Sequence, residues 1–231
     1  MNTLLTTPPL NVYEQMALDE TLARSRAGEI ILRLYRWTGG PAVTFGYAQF
    51  VREVRRGIDT SFKGSICRRP TGGGVVYHTE DLTFSLIFPS QERPSTIYAQ
   101  LHQSIRTALT THGITAYAFT QKVPAAAYAP SQHHTANACF VNPVENDLLL
   151  QTGQKMLGGA IRRFGSTILY QGSLQLPGAR ENPACKQAVI EGVRQFLGVA
   201  LQVQPVDESA LAAARTQADT QYQTPAWTEK F

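Results

Sequence analysis

Two arginines, three adjacent glycines and a histidine lie together at residues 68–78, RRPTGGGVVYH, just before an alternating apolar run. Glycine lets the main chain approach a ligand closely, and successive backbone N–H groups can hold an anionic or carbonyl oxygen. The segment is not a Walker loop, because no Gly-Lys-Ser/Thr follows the glycines and the next residues favour a strand. It therefore predicts a ligand-binding turn, with a glycine-rich hairpin or bulge as the structural alternative.

Glycine and cation are paired a second time at residues 146–176, NDLLLQTGQKMLGGAIRRFGSTILYQGSLQL. The pattern predicts an apolar strand, a turn centred on Gly153, a second strand that contains Lys155, and a third strand. Gly158, Gly159 and two arginines follow the lysine. This arrangement allows an ammonium to lie beside main chain that can approach a ligand, whereas the structural alternative is a solvated hairpin lysine.

Together with MALDE at residues 16–20 and ACFVNP at residues 138–143, these two segments resemble the lipoate-protein ligase and octanoyltransferase family, relatives of the biotin-protein ligases. RRPTGGGVVYH resembles that family's arginine and glycine signature, and GQKMLGGAIRR resembles its lysine loop. The resemblance continues through LRLYRW and TFGYAQ to YQTPAW, so it covers nearly the whole chain. The chain is most similar to the cysteine-containing single-domain members.

The resemblance implies an α/β (α+β) fold of the biotin/lipoate protein ligase type, related to class II aminoacyl-tRNA synthetases. In that fold a mixed, largely antiparallel sheet is flanked by helices. We expect one catalytic domain over residues 1–231, without the C-terminal accessory domain of many one-chain lipoate ligases. This expectation argues against independent ATP-driven ligation.

Lys155 and Cys139 are the candidate catalytic residues. The Lys155 ammonium can hydrogen-bond an acyl oxygen and stabilise the negative charge of a tetrahedral intermediate. Cys139 can attack a thioester-borne octanoyl or lipoyl group and hold it as an acyl-enzyme. An ammonium about 4 Å from the sulfur, at an effective dielectric of about 20, stabilises the thiolate by roughly 4 kcal/mol. Before the opposing effect of desolvation, this lowers the pKa of the cysteine by about 3 units.

A second route leaves Cys139 without a chemical role. ATP, with Mg²⁺, and lipoate would then form a lipoyl-adenylate. The triple glycine favours this ligase route, whereas CFVNP and the absence of an accessory domain favour the cysteine route, which we predict. A non-catalytic module that binds a lipoyl or biotinyl group is the alternative from another functional class.

Further residues are predicted to bind the acyl group or the acyl-adenylate: Arg68, Arg69, Gly72, Gly73, Gly74, His78, Asp147, Gly158, Gly159 and Ala160. The two arginines would neutralise a phosphate, or they would hold the glycine loop in place by pairing with Glu20 or Asp19. His78 would orient the acyl group or assist proton transfer. The structural alternative is that His78 only forms hydrogen bonds with the polar groups of the glycine loop. Asp147 would position Lys155. No metal site and no tightly bound cofactor is predicted.

The resemblance implies a protein acceptor, either a lipoyl domain of a 2-oxoacid dehydrogenase or the glycine-cleavage H protein. An acyl carrier protein is a candidate donor, and a separate accessory protein is a candidate partner. The net charge of +4 and the pI near 9.0 are compatible with acidic partners but too mild to indicate nucleic-acid binding.

Composition argues against several other classes of protein. The chain of 231 residues has 43% hydrophobic residues and no apolar run near the ~20 residues of a membrane helix. Its first residues lack a secretory signal, so we expect a cytoplasmic protein. The three cysteines lack metal-ligand spacing and favour reduced thiols, with Cys67 and Cys185 as core residues.

The elements that must position these residues follow from hydrophobic periodicity. Helices are expected from Val12 to Arg24, from Ser95 to Gly113, from Pro183 to Gly198, and after Asp207. Strand pairs are expected at residues 30–37 and 42–47, and at residues 74–77 and 83–88. Residues 121–137 are predicted to be a loop. Glu20 lies on the apolar side of the first helix and is expected to be paired, and His102 is expected at the surface of the second.

Overall fold

A computed structural model describes residues 1–121 and 143–231. Within these residues the strands are β1 (Asn2–Thr6), β2 (Ile30–Leu34), β3 (Ala42–Phe45), β4 (Ser65–Arg68), β5 (Val76–His78), β6 (Leu82–Pro89), β7 (Tyr117–Ala118), β8 (Leu148–Leu149), β9 (Lys155–Phe164), β10 (Thr167–Leu174) and β11 (Gln202–Pro205). The helices are α1 (Val12–Ser25), α2 (Val51–Gly57), α3 (Pro94–Thr111), α4 (Pro183–Leu197), α5 (Glu208–Gln217) and α6 (Pro225–Thr228), with a π-helical turn at Ala218–Tyr222.

Eight of the described strands form one mixed sheet in the order β11-β1-β2-β6-β10-β9-β8-β7. The pairs of β1 with β11 and with β2 are parallel, and the remaining neighbours are antiparallel. The prediction of a mixed, largely antiparallel sheet flanked by helices is confirmed. A smaller described sheet, β4-β3-β5, lies beside it.

Helices cover both faces of the large sheet. Successive side chains of a strand point to opposite faces. In β6, Leu86 and Phe88 accordingly join the core cluster with α3 and α4, whereas Ile87 joins the cluster with α1 and α5. In β10, Tyr170 and Leu169 divide in the same way. The sheet is thus buried on both sides, and its central strands hold the site described below.

The predicted helices are confirmed, and their ends have the expected capping residues. Asn11 and Glu14 form a capping box at the start of α1. Asn182 and Asp207 cap α4 and α5 through side-chain oxygens. Gly198 ends α4 in the left-handed conformation at φ 66°, which glycine adopts without steric cost.

The two predicted strand pairs are not hairpins. β2 pairs with β6 in the large sheet, whereas β3 pairs with β4 and β5 in the small sheet. β5 and β6, likewise consecutive along the chain, lie in different sheets. Alternating hydrophobicity identifies a strand but not its partner, so local spacing led to the wrong pairing.

No helix among residues 1–121 and 143–231 is long and apolar enough to cross a bilayer. The same residues hold no group of three or more His, Cys, Asp or Glu side chains placed to bind a metal ion.

Candidate active site

A cleft lies between the small sheet and the central strands of the large sheet. Its empty volume is about 380 Å³, part of which is open to solvent. The lining residues come from α1, β3, β5, β6, β9, β10 and the segments around them: Met16, Tyr35, Thr44, Arg69, Val76, His78, Thr83, Gly158, Gly159, Ala160, Gln171, Gly172 and Ser173. Five of the sequence-predicted site residues are among them, namely Arg69, His78, Gly158, Gly159 and Ala160.

Lys155 lies directly behind the cleft wall. A Cβ atom at Gly158 would overlap Lys155 Cε and Nζ, so the missing side chain of this glycine makes room for the lysine. Lys155 is 2% exposed, and its Nζ lies 2.8 Å from Asp147 Oδ2. The lysine is therefore buried and paired, which rules out the solvated hairpin alternative.

Asp147 is held at both carboxylate oxygens. The Val144 N–H donates to Oδ2 at 2.6 Å, and the Tyr98 hydroxyl donates to Oδ1. Burial raises the pKa of Asp147 above its ordinary value, while attraction to Lys155 and hydrogen bonds from Lys155, Tyr98 and Val144 oppose this rise. Asp147 thus contacts Lys155 and is itself fixed by two further donors, while its positioning role stays a prediction.

Arg69 shapes the glycine loop. Its Nε and Nη2 donate to the Gly72 carbonyl at 3.0 and 2.5 Å, and Nη2 also donates to the Gly74 carbonyl at 2.7 Å. Gly73 has φ +85°, and a Cβ there would lie 2.8 Å from Arg69 Nη2 and 3.7 Å from Ala160 Cβ. Glycine is thus required at this position, and the arginine-glycine motif meets the lysine motif across the cleft.

Arg68 has a different place from its neighbour. It is fully buried, and its guanidinium donates to the backbone carbonyls of Tyr47, Gln49, Trp227 and Thr228. The guanidinium therefore connects the main chain after β3 with the main chain of α6, and it does not line the cleft.

The carboxylates suggested as partners of the two arginines are bound elsewhere. Asp19 pairs with Arg33, and Glu20 pairs with Arg24 and accepts from the Tyr222 hydroxyl. The expectation that Glu20 is a paired structural residue is confirmed.

His78 has hydrogen-bond partners at both ring nitrogens. Nδ1 lies 2.9 Å from Asp81 Oδ2, and Nε2 lies 2.9 Å from Thr44 Oγ1. The ring also stacks on Trp37 with centroids 4.9 Å apart. The contacts join β3 to the turn after β5. Because both ring nitrogens already have partners, they favour a structural role for His78 in the floor of the cleft over a role in proton transfer.

Asp81 completes this cluster of polar groups. Burial alone would raise the pKa of Asp81, but attraction to His78 and hydrogen bonds from His78, Ser173 and Thr83 bring it below its ordinary value.

Sequence reasoning missed a buried polar row under the cleft. Arg33, Ser85 and Gln171 lie opposite one another on β2, β6 and β10. Ser85 and Arg33 donate to Asp19 Oδ1, and Gln171 Nε2 donates to Asp19 Oδ2 at 2.8 Å. Gln171 also accepts from the Thr71 hydroxyl at 2.7 Å, which ties the row to the glycine loop. The signal available in the sequence was Arg33, a charged residue inside an otherwise apolar strand.

The expectation that His102 lies at the surface is wrong, since this residue is 1% exposed. Nδ1 is 2.8 Å from the Asn146 carbonyl, and Nε2 is 2.7 Å from the Tyr170 hydroxyl. Burial lowers the pKa of His102 to about 3, and Lys155 lowers it further, against a hydrogen bond from His102 to Asn146 that raises it. The helical spacing of His102 is shared with Ile105 and Leu109, which indicates the buried face.

Cys67 and Cys185 are buried core residues, as expected. Burial raises the pKa of both thiols above the ordinary value, although Arg69 and Arg68 oppose this at Cys67. Both are therefore poor nucleophiles at neutral pH. Cys139, the candidate nucleophile, lies outside the described residues.

Comparisons with known proteins place these motifs in context. Residues 11–184 match the family model of the lipoyl protein ligase A/B catalytic domain. The octanoyltransferase LipM of Oceanobacillus iheyensis is 32% identical over 176 residues, covering 73% of this chain and 61% of the relative. The chain thus spans about three fifths of the length of the octanoyltransferases it matches.

Solved structures share the fold. A putative lipoate protein ligase from T. acidophilum superposes with a TM-score of 0.77 at 21% identity, covering 100% of both chains. A lipoate-protein ligase A bound with ATP gives a TM-score of 0.73 at 23% identity, with 99% of each chain covered. These similarities confirm the expected fold class.

Proposed function

Because the chain belongs to the lipoyl protein ligase A/B catalytic-domain family, we propose that it transfers an octanoyl or lipoyl group to a protein lysine. The acceptor is a lipoyl domain or the glycine-cleavage H protein, and the route passes through an acyl-Cys139 intermediate. The observation that carries the proposal is Lys155, a buried lysine paired with Asp147 behind the Gly158 wall of the cleft. The similarity to octanoyltransferases supports the same reaction class.

The first chemical step forms the acyl-enzyme. The Cys139 thiolate attacks the thioester carbonyl, and negative charge develops on the carbonyl oxygen. The Lys155 ammonium stabilises this oxygen, and the resulting intermediate collapses by breaking the C–S bond to the donor thiol. The donor leaves as a thiolate that takes up a proton.

The second step transfers the acyl group to the acceptor. The neutral amine of the acceptor lysine attacks the Cys139 thioester, the C–S bond breaks, and an amide forms. The amine loses one proton, and the Cys139 thiolate is restored. Lys155 acts on the same oxygen in both steps, and the contact with Asp147 at 2.8 Å holds its side chain in place for both.

An ATP-dependent lipoate ligase is the second candidate. It is favoured by the triple glycine, which Arg69 holds at the cleft, and by the structural similarity to a ligase bound with ATP. In this route ATP, with Mg²⁺, and lipoate form an adenylate, and Cys139 has no covalent role.

Intact-mass analysis separates the two routes. Incubation with an octanoyl thioester is expected to add about 126 Da, the mass of an octanoyl group less the hydrogen it replaces, at Cys139 and not in Cys139→Ser. Cys185→Ala removes a buried thiol outside the cleft and is the matched control, which should still form the adduct. Transfer that requires ATP and survives Cys139→Ser would establish the ligase route instead. Acyl binding without transfer under either donor would indicate a carrier module.

A further inference from the structure

The cleft wall contains a backbone amide whose acceptor is a side chain. β8 pairs with β9 at Leu149 opposite Lys155 and at Leu148 opposite Leu157, and then ends. Beyond this point, the N–H of Gly159 donates to the Tyr98 hydroxyl at 3.0 Å. Tyr98 extends from the first turns of α3, so a helix side chain takes over where the edge strand stops.

The same hydroxyl reaches the candidate catalytic pair. While its oxygen accepts from Gly159, its proton is donated to Asp147 Oδ1, and the other carboxylate oxygen lies 2.8 Å from Lys155 Nζ. A phenol has one donor and can accept at the same time, so one group can serve both contacts. A continuous line of hydrogen bonds therefore runs from the cleft wall to the ammonium.

From this geometry we propose that Tyr98 is a positioning residue for acyl transfer, which holds the Asp147 carboxylate and the Gly159 backbone in register with Lys155. The inference rests on the proposed function. Tyr98 acts through Asp147 and not on the substrate.

The aromatic support of Tyr98 is rigid and neutral. The Tyr98 ring packs on His102 with centroids 3.9 Å apart. Because the Asn146 carbonyl can only accept, His102 carries its proton on Nδ1, and Nε2 accepts from the Tyr170 hydroxyl. Burial keeps His102 uncharged at neutral pH, since its pKa is lowered to about 3. The support therefore adds no second positive charge beside Lys155.

Loss of the hydroxyl has a defined electrostatic consequence. The hydrogen bond from Tyr98 is one of the interactions that lower the pKa of Asp147 against the effect of burial. In Tyr98→Phe the pKa of Asp147 should rise, so the carboxylate becomes protonated at higher pH and no longer holds the ammonium. The acid limb of the transfer rate should move to higher pH.

Steady-state kinetics of the full chain, with an octanoyl thioester and a lipoyl domain, test the inference. Tyr98→Phe is expected to lower kcat about tenfold, to change KM for the thioester by less than about twofold, and to raise the acid limb by about half a pH unit or more. Tyr117→Phe, which removes a hydroxyl from an exposed residue of β7, is the matched control and should behave as the parent. An unchanged acid limb in folded Tyr98→Phe would overturn the proposal and leave Tyr98 a structural residue.

A readout that needs no turnover separates this inference from the proposed function. The pKa of the Asp147 carboxyl, followed by carbon NMR, should be higher in Tyr98→Phe than in the parent, and equal values would refute the positioning role. Parent protein without transfer under thioester or ATP would reject the proposed function alone. Should Tyr98→Phe not fold, 3-fluorotyrosine at position 98 provides a stronger donor, which is expected to shift the Asp147 pKa downward; no shift would count against the proposal.

Discussion

Lys155 shows at the scale of a single residue how burial and chemistry are connected. An ammonium taken out of water costs several kcal/mol, which an excellent ion pair and further hydrogen bonds must offset. Asp147 provides that pair at 2.8 Å, and Asp147 is itself held by Tyr98 and Val144. The ammonium is thereby fixed beside the cleft wall, and under the proposed function it would stabilise a developing oxyanion without reorganisation.

Lys155→Met should lower kcat by about 10²- to 10³-fold, the usual cost of losing one electrostatic stabiliser of a tetrahedral intermediate. It should also destabilise the fold by about 3 kcal/mol, because the Asp147 carboxylate stays buried without its cation. The double variant Lys155→Met/Asp147→Asn removes both charges and is expected to recover most of the stability but none of the activity. Transfer rates and urea unfolding, measured on both variants, test this prediction. Recovered activity in the double variant would contradict an electrostatic role for Lys155.

Gly158 leaves the space that the Lys155 side chain occupies behind the cleft wall. A Cβ at position 158 would overlap the end of the Lys155 side chain and approach Asp147 Oδ1 to 3.4 Å. Gly158→Ala should therefore lower kcat about tenfold or more by displacing the ammonium, although no functional group is removed. Kinetics together with the Cys139 adduct assay would show it, and wild-type rates with an unaltered melting temperature would mean that the lysine lies elsewhere during catalysis.

At the scale of secondary structure elements, Arg68 acts as an anchor. It lies at the end of β4, and its side chain binds the main chain that follows β3 and the main chain of α6. Four partly buried carbonyls thus share one planar guanidinium as donor. The next residue, Arg69, then holds the glycine loop in place. The anchor and the loop are neighbours in sequence, so α6 is coupled to the position of the cleft wall.

Arg68→Lys should lower the free energy of unfolding by about 2 kcal/mol, because a single ammonium cannot reach all four carbonyls and some of these partly buried acceptors lose their donor. The matched control is Arg55→Lys, whose partner Glu229 is exposed, and it should change stability by less than about 0.5 kcal/mol. Urea unfolding of both variants measures the difference. Equal effects would show that the carbonyl contacts of Arg68 contribute little.

How far the elements could be predicted depends on how local their signals are. α1, α3, α4 and α5 follow from periodicity and capping residues, whereas β1, β4 and β11 have only four or five residues each, too few for a pattern to identify a strand. Assignment of β2 and β3 to different sheets depends on long-range pairing, which adjacent turns cannot encode.

The residues of the candidate site likewise differ in whether their signal in the sequence is local. Lys155, Arg69 and the glycines could be named from the sequence because they lie in the two motifs that carry the family resemblance. Tyr98 and His102 were not, because their role arises only when α3 packs beside β9. A polar residue on an apolar helix face was the signal for His102, and the same rule had correctly indicated a paired role for Glu20.

At the scale of the whole molecule, the sheet is buried on both faces, and several ionisable groups are buried with it. Their protonation is linked to folding whenever the pKa differs between folded and unfolded chain. His102 has a folded pKa of about 3 against an ordinary value of 6.5, mainly because of burial. Asp81 also has a folded pKa below its ordinary value, whereas that of Asp147 is raised. Each of these groups therefore makes the stability of the fold depend on pH.

We expect the free energy of unfolding to fall as the pH is lowered from about 6.5 towards 3, because the unfolded chain protonates His102 and the folded chain does not. The slope from this residue approaches about 1.4 kcal/mol per pH unit in the middle of that window. Asp81 adds to the loss as the pH falls through its folded pKa. Asp147 opposes it, since a carboxyl with a raised pKa stabilises the fold at low pH.

Replacing the buried histidine isolates its share of this slope. His102→Gln removes the titrating group, so its unfolding free energy should vary less between pH 6.5 and 4 than that of the parent, even if it is lower throughout. Gln103→Ala, on the exposed side of the same helix, removes no titrating group and is the matched control, which should keep the parental slope. Urea unfolding across this pH range gives the slopes directly. Parallel curves for His102→Gln and the parent would mean that His102 takes up its proton at the same pH in the folded as in the unfolded chain, so that a second positive charge would lie beside Lys155 below about pH 6.5.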